Sequence, residues 1–297
     1  MIQRLTIIGV GLIGGSLAQA LRSAAYVREI IGYGRDVANL EKAVSLGVID
    51  SYAPSIAEAV RDADMVVVAV PLGAMQSCFS EMVGHLAEDV VITDVGSAKA
   101  SVVAAASAAF GELPSGFVPG HPIAGTEKSG VEASFPSLYR GRRVIVTPLP
   151  SSSAEAVAKL VSMWNETGAQ TEEMSVERHD EVLAATSHLP HLLAFGLVDS
   201  LCSMDESEDI FRFAAGGFRD FTRIASSDPV MWRDICLSNR EALLKVLQQY
   251  GNDLSQLMSL VSEGDGAALE KTFASAKAAR DRYANQLDGW KGSFPAE

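Results

Sequence analysis

Leu5-Thr6-Ile7-Ile8-Gly9-Val10-Gly11-Leu12-Ile13-Gly14 sets an apolar, β-branched run directly before a glycine turn and a helical stretch. A G-x-G-x-x-G match alone is a weak signal. Between a strand and a helix it reads as the turn that cradles a dinucleotide pyrophosphate. Gly9 permits the tight turn, Gly11 lets the backbone approach the phosphates, and Gly14 allows close helix–strand packing, with the helix N-terminus facing the anion. Leu12 and Ile13 open that helix and are counted with the glycines as cofactor-binding. About 20 positions further on, such folds usually place an acidic residue on the ribose 2′-hydroxyl. Here the region reads Gly32-Tyr33-Gly34-Arg35-Asp36, with glycine at the expected acidic position and Arg35 after it. That favours NADP over NAD, while Asp36 reaches the ribose if the strand ends later.

Outward from this turn, short β-branched runs alternate with helical stretches, the pattern of a parallel sheet covered by helices. Strands are expected at Leu5–Ile8, Ile30–Tyr33, Met65–Val70, Val90–Thr93 and Val144–Thr147, with a short closing strand near Thr171–Met174. Helices are expected at Leu12–Arg22, Leu40–Leu46, Ile56–Arg61, Ala74–Leu86 and Lys99–Phe110, where apolar residues recur at helical spacing. Beyond Ser175 the strand signals stop, and Asp180–Cys202, Val230–Tyr250 and Ala267–Leu287 keep helical periodicity. The fold class is α/β: an N-terminal Rossmann-type doubly wound sheet over 1–174, then an all-helical domain over 175–297. Leu243, Leu244, Leu247, Leu254, Leu257 and Val261 make an apolar surface too rich for a helix with one solvated side, which suggests a homodimer.

The 297 residues suffice for about two domains, and 48% hydrophobic against 21% charged residues is an ordinary globular composition. A formal charge of −13 repels phosphate backbones and anionic lipid, so neither nucleic acid nor a membrane surface is an expected partner. Cys78, Cys202 and Cys236 lie far apart with no C-x-x-C pair, which suits a reducing cytoplasm and argues against a zinc site. Leu5–Leu21, flanked by Arg4 and Arg22, imitates a signal peptide, but four glycines within it are too many for a secretory core. No other apolar run approaches the length of a membrane span.

Three further segments are dense in polar residues amid glycine and proline: Asp94-Val95-Gly96-Ser97-Ala98-Lys99, Gly120-His121-Pro122-Ile123-Ala124-Gly125-Thr126-Glu127 and Gly217-Phe218-Arg219-Asp220-Phe221-Thr222-Arg223. With Ser187-His188-Leu189-Pro190-His191 and Ser227-Asp228-Pro229-Val230-Met231-Trp232, they make the chain, up to about Asn239, resemble the prephenate and arogenate dehydrogenases of tyrosine biosynthesis. The resemblance implies NAD- or NADP-dependent oxidative decarboxylation of a cyclohexadienol, on a dinucleotide-binding domain followed by a helical dimerisation domain. Some relatives carry an added mutase or regulatory domain, for which this length leaves no room.

The resemblance also implies roles. A histidine before proline is by itself most simply a loop residue, but His121 matches the family's acceptor of the substrate hydroxyl, and a neutral imidazole with a pKa near 6.5 suits that task. Ser97 matches a serine that bonds the same hydroxyl, although its spacing equally suits an N-cap of the helix from Lys99. Thr126 and Glu127 match pocket residues, whereas Asp94, Lys99 and Lys128 read as structural or solvated. The substrate carries two carboxylates, and between Arg212 and Arg240 five arginines stand against three acids. If Gly217–Ile224 is helical, Arg219 and Arg223 share a face and present carboxylate-gripping guanidinium groups. The resemblance places the substrate-binding arginine at Arg223 and a substrate-side histidine at His191, with His188 as support. Asp228 before Pro229 has the form of an N-cap, and Trp232 one turn later is either core or pocket wall. Two other readings remain at this level: a β-hydroxyacid-type dehydrogenase, for which no lysine stands near Gly216-Gly217, and a non-catalytic dinucleotide sensor.

Overall fold

The β-branched runs form strands and the periodic stretches form helices in strict alternation. The computed structural model describes residues 1–126, 128–205 and 207–291. In chain order come β1 (Ile2–Ile8), α1 (Leu12–Ser23), β2 (Val27–Tyr33), α2 (Val37–Ser45), β3 (Ser51–Tyr52), α3 (Ile56–Ala59), β4 (Met65–Val68), α4 (Met75–Met82), β5 (Val91–Asp94) and α5 (Lys99–Phe110). The five strands are all parallel, in the order β3-β2-β1-β4-β5. Because a strand alternates its side chains, each feeds two cores. Leu5, Ile7, Met65, Val67 and Val91 point into one layer with Leu17 and Leu21 of α1. Ile8, Val66, Val68 and Ile92 point into the other with Phe79 of α4 and Val102 of α5. This doubly wound, Rossmann-type arrangement is the expected one.

A single bridge, Ile92 to Phe117, extends the sheet beyond β5. The chain then forms β6 (Gly120–Pro122), β7 (Arg143–Val146), α6 (Ala154–Glu166) and β8 (Gln170–Glu173). β6 runs antiparallel to β7, with His121 opposite Ile145, and β7 runs parallel to β8. The strand at 120–122 was not expected, since glycine and proline on either side of His121 mask it as a loop. It is a strand because Pro122 stands at the end, where a missing ladder donor costs little.

After β8 every named element among the described residues is helical: α7 (Val176–Leu183), α8 (Leu189–Cys202), α9 (Ser207–Arg212), α10 (Gly216–Thr222), α11 (Pro229–Ser238), α12 (Arg240–Glu263) and α13 (Gly266–Lys291). A π-turn at Ala184–His188 joins α7 to α8. The expectation that no other apolar run approaches a membrane span is corrected at Val176–Cys202, 27 residues whose most apolar 18-residue window has mean hydropathy 1.2, long and apolar enough by length and composition to cross a membrane; 28% of that window is buried within the protein. Asn239 interrupts the helix expected over Val230–Tyr250. The chain divides into two compact units, Met1–Leu243 and Leu244–Glu297, the first taking in α7 to α11. Of the apolar surface residues expected near the second unit, Leu243 is buried in the first, Leu247 and Leu257 are half-buried, and Leu244, Leu254 and Val261 are exposed.

Close packing of α1 on β1 is set at Gly14, where a Cβ would stand 2.4 Å from the Gly9 carbonyl oxygen and 2.8 Å from Ile7 Cγ2. Backbone cannot yield as a side-chain tip can, so Gly14→Ala is expected to lower the unfolding free energy by about 1–3 kcal/mol, the usual range for overpacking. Urea denaturation of the two proteins checks it; equal midpoints would show that helix and strand have slack.

Candidate active site

Two features sit at the carboxyl end of the parallel strands, the end at which open α/β sheets take their ligands. The first is a cavity of about 430 Å³ lined by Gly9, Gly11, Arg35, Asp36, Asn39 and Val70 among others. Gly9, at φ +98°, turns the chain hard against β4: a Cβ there would lie 2.3 Å from the Ala69 carbonyl oxygen. Gly11 is the N-cap of α1 and offers no side-chain cap, and a Cβ on it would meet nothing within 4 Å. The amides of the first turn therefore face open space, the geometry a phosphate needs. Leu12 is buried, and the Ile13 carbonyl accepts the Tyr139 hydroxyl at 2.6 Å, which pins the start of the helix. Arg35 is exposed on the cavity wall, while the Asp36 side chain caps α2 by accepting the Asn39 N–H at 3.2 Å. A hollow of similar volume, about 440 Å³, lies at the amino ends of the strands beside Asp62, Asp64, Glu88 and Asp89, whose carboxylates repel phosphate.

The second feature is a buried polar chain. His121, only 8% exposed on β6, places Nδ1 2.8 Å from His179 Nε2, and His179 Nδ1 lies 2.7 Å from Asp180 Oδ1. Asp180 also accepts the backbone N–H groups of Lys99 at 2.7 Å and Ala100 at 2.9 Å, the open N-terminal donors of α5. Burial pushes the Asp180 carboxyl up, but these hydrogen bonds outweigh it and hold the group below the usual carboxylate range. A carboxylate only accepts, so His179 carries its proton on Nδ1 and leaves Nε2 as an acceptor. His121 then donates from Nδ1 and keeps the Nε2 lone pair free. Burial, with the neighbouring His179, Lys99 and His188, holds His121 well below its ordinary pKa, so it is a neutral base at neutral pH.

A row of rings leads onward. His188 packs edge-on to Trp232 at 6.2 Å between centroids, and Trp232 stacks on His191 at 3.6 Å and 17°. Trp232 is 7% exposed, so it is largely core and offers its face to His191. Arg223 is close enough to His191 to add to the lowering of its pKa that burial begins. Asn239, buried at the break between α11 and α12, donates to the Asp180 carbonyl at 2.8 Å and to His188 Nδ1 at 3.1 Å.

The structure thus links His121, through His179, Asp180 and Asn239, to His188, and His188 through Trp232 to His191, with Arg223 near His191. Ser97 is half-buried and does not cap α5; Ala98 is the N-cap residue, and Asp180 supplies the cap from a distance. The continuous helix over Gly217–Ile224 is not formed, since α10 ends at Thr222 and Arg223 opens a 3₁₀ turn. Arg219 is exposed beside Asp220 at 3.8 Å. Thr126 is exposed and accepts the Lys128 N–H at 3.2 Å, and Glu127 lies outside the described residues. His179, Asp180 and Asn239 escaped the sequence reading. Their one local signal is that His179 stands a turn before Leu183, on the face that Leu183 and Ala184 bury.

A Rossmann-type sheet, an open helix N-terminus behind a glycine turn and a buried imidazole relay together define a dehydrogenase of the nucleotide-binding class. Sequence comparison narrows that class. The nucleotide-binding domain of prephenate dehydrogenase matches residues 17–173, and its dimerization domain matches 175–275. Cyclohexadienyl dehydrogenase of Zymomonas mobilis is 38% identical over 281 residues, 94% of this chain and 95% of that protein. Prephenate dehydrogenase of Bacillus subtilis is 38% identical over 97% of this chain and 77% of its own length. The crystal structure of prephenate dehydrogenase from Aquifex aeolicus, in complex with hydroxyphenyl propionate and NAD+, superposes with a TM-score of 0.89 at 38% identity, covering 95% of this chain and 99% of that one. The chain belongs to the prephenate dehydrogenase family. Membership removes both alternative readings.

The buried histidines tie stability to acid. Burial lowers His188 from 6.5 to about 4, so it takes its proton only when the chain opens. Its contribution is complete above 6.5 and is lost as the pH falls toward 4, about 3 kcal/mol in all at 1.4 kcal/mol per unit. Wild-type protein is expected to lose stability over that interval, and His188→Gln to lose distinctly less; parallel urea curves with equal acid losses would contradict this.

Proposed function

We propose that the protein oxidatively decarboxylates prephenate to 4-hydroxyphenylpyruvate, arogenate to tyrosine, or both, using NADP in preference to NAD. The observation that carries this reading is the Nε2 of His121, left as an acceptor and held neutral at the same end of the sheet as the glycine turn. A nicotinamide held by the glycine turn would supply the acceptor for the hydride on the ring carbon that bears the hydroxyl. His121 Nε2 accepts the hydroxyl proton as that hydride departs, and its charge is shared through His179 with the Asp180 carboxylate. The bond from the quaternary ring carbon to its carboxylate then breaks, carbon dioxide leaves, and the electron pair makes the ring aromatic. The proton ends on the phenolic oxygen, so none is consumed or released overall. Aromatisation makes the step irreversible.

Ser97 shares the hydroxyl with His121, and His191 and Arg223 take the remainder of the substrate; Thr126, Arg219 and Glu127, the last outside the described residues, are assigned to the substrate on the family resemblance alone. Gly9, Gly11, Leu12, Ile13 and Gly14 hold the pyrophosphate. Two features support the NADP preference: Gly34 has no carboxylate for a 2′-hydroxyl, and Asp36 spends its own on the α2 cap, leaving Arg35 for a 2′-phosphate. The nucleotide domain spans 1–174 and the helical domain 175–297, and two chains pair through the helical domain, whose family description is a dimerization domain.

Turnover of prephenate and of arogenate, each with NAD and NADP, tests the reading. His121→Asn is expected to cost at least about 10²-fold in kcat with little change in KM, the usual scale for losing a general base. Near-normal turnover would remove His121 from the chemistry. Arg223→Ala is expected to raise KM for the dianionic substrate strongly and leave nucleotide affinity intact; an unchanged KM would remove Arg223 from the pocket.

A further inference from the structure

Beneath the relay lies a second buried charge system that the hydroxyl chemistry does not use. Asp94 ends β5, Lys99 opens α5, and neither side chain has any exposure. Asp94 Oδ1 accepts the Gly120 N–H at 3.2 Å, and Oδ2 accepts the Gly96 N–H at 2.7 Å as well as the Lys99 ammonium. Lys99 Nζ also donates to the Gly120 carbonyl at 2.6 Å. The Gly120 peptide is therefore gripped at both ends, and the next residue is His121. The Gly96 amide is gripped too, and the next residue is Ser97. The Lys99 backbone N–H meanwhile bonds Asp180, the carboxylate end of the relay.

A buried ion pair is a poor stabiliser, because desolvating two charges offsets their attraction, and apolar residues of like size often serve stability as well. Its use here must lie in geometry. We infer that the Asp94–Lys99 pair is a positioning device: it holds the backbones of Ser97 and His121 in register with each other and with Asp180. This rests on His121 being the proton acceptor. The groups facing His121 are His179 and Asp180 from α7, Lys99 from α5, His188 from the π-turn and, behind Lys99, Asp94 from β5. Burial lowers the pKa of Lys99 while the Asp94 carboxylate beside it opposes that, and the Lys99 ammonium acts on His121 and His179 alike in opposing protonation.

The experiment compares Lys99→Met, Asp94→Asn/Lys99→Met and His121→Asn by kcat, KM, nucleotide Kd and the pH profile of kcat/KM. Lys99→Met is expected to lower kcat at least about tenfold with KM and nucleotide Kd within about twofold. Its acid limb should move to higher pH, because removing a nearby cation lets His121 protonate more readily. A merely structural role would move neither the limb nor the ratio of kcat to KM. The double variant, which buries no charge, should show the same loss of kcat, and it stands in if the single variant does not fold. A folded variant with unchanged kcat and acid limb, beside an inactive His121→Asn, overturns the inference and leaves the role of His121 intact. Failure of both lysine variants to fold overturns it too, since the pair would then be a support and not a positioner. An active His121→Asn instead defeats the reading of His121 itself.

Discussion

The structure turns on the carboxylate of Asp180. α5 begins at Lys99 with an alanine as its N-cap, so its first amides have no side-chain acceptor of their own. Asp180, 81 positions away in sequence from Lys99, accepts two of them. Burial pushes its pKa up, but the hydrogen bond from His179 and those from the helix N-terminus, which favours negative charge, outweigh that and keep it below the usual carboxylate range. Only an ionised carboxylate fixes the proton on His179 Nδ1, and only that tautomer turns His121 Nε2 outward as an acceptor. One interaction thus caps a helix, joins α7 to the sheet and decides which ring nitrogen of His121 is left as an acceptor.

The position of His121 on a strand has a matching consequence. A loop histidine would be solvated and would titrate near its ordinary value. β6 is hydrogen-bonded to β7 and continues the edge begun by the bridge at Phe117, so its side chain at 121 is buried and held neutral. The nucleotide turn after β1 and the Ser97 segment after β5 lie at the same end of a parallel sheet, because parallel strands carry all their carboxyl ends to one side. Topology alone thus brings the glycine turn and Ser97 to one end of the sheet.

Much of this was legible in the chain. The parallel sheet, its covering helices and the helical remainder follow from periodicity, since strands buried on both faces must be apolar throughout. The turn at Gly9–Gly14 declared itself through its place between strand and helix. β6 was hidden because glycine and proline are poor strand formers, and hydrogen bonds to a distant strand overrode local preference. His179 and Asp180 were hidden because an adjacent His-Asp pair on a helix is ordinary unless the side it faces is known. The shared face of Arg219 and Arg223 assumed one helix, and the chain changes its turn at Arg223.

By itself the sequence determined the class of fold, the nucleotide turn and the identity of His121 as a polar residue beside a strand end, because each depends on neighbours a few positions apart. Tertiary structure decided that His121 would be buried, which tautomer it would hold, and that a helix 58 residues further along would supply its partner. Those are matters of solvation and long-range hydrogen bonding, and periodicity carries no information about which distant donor meets which acceptor.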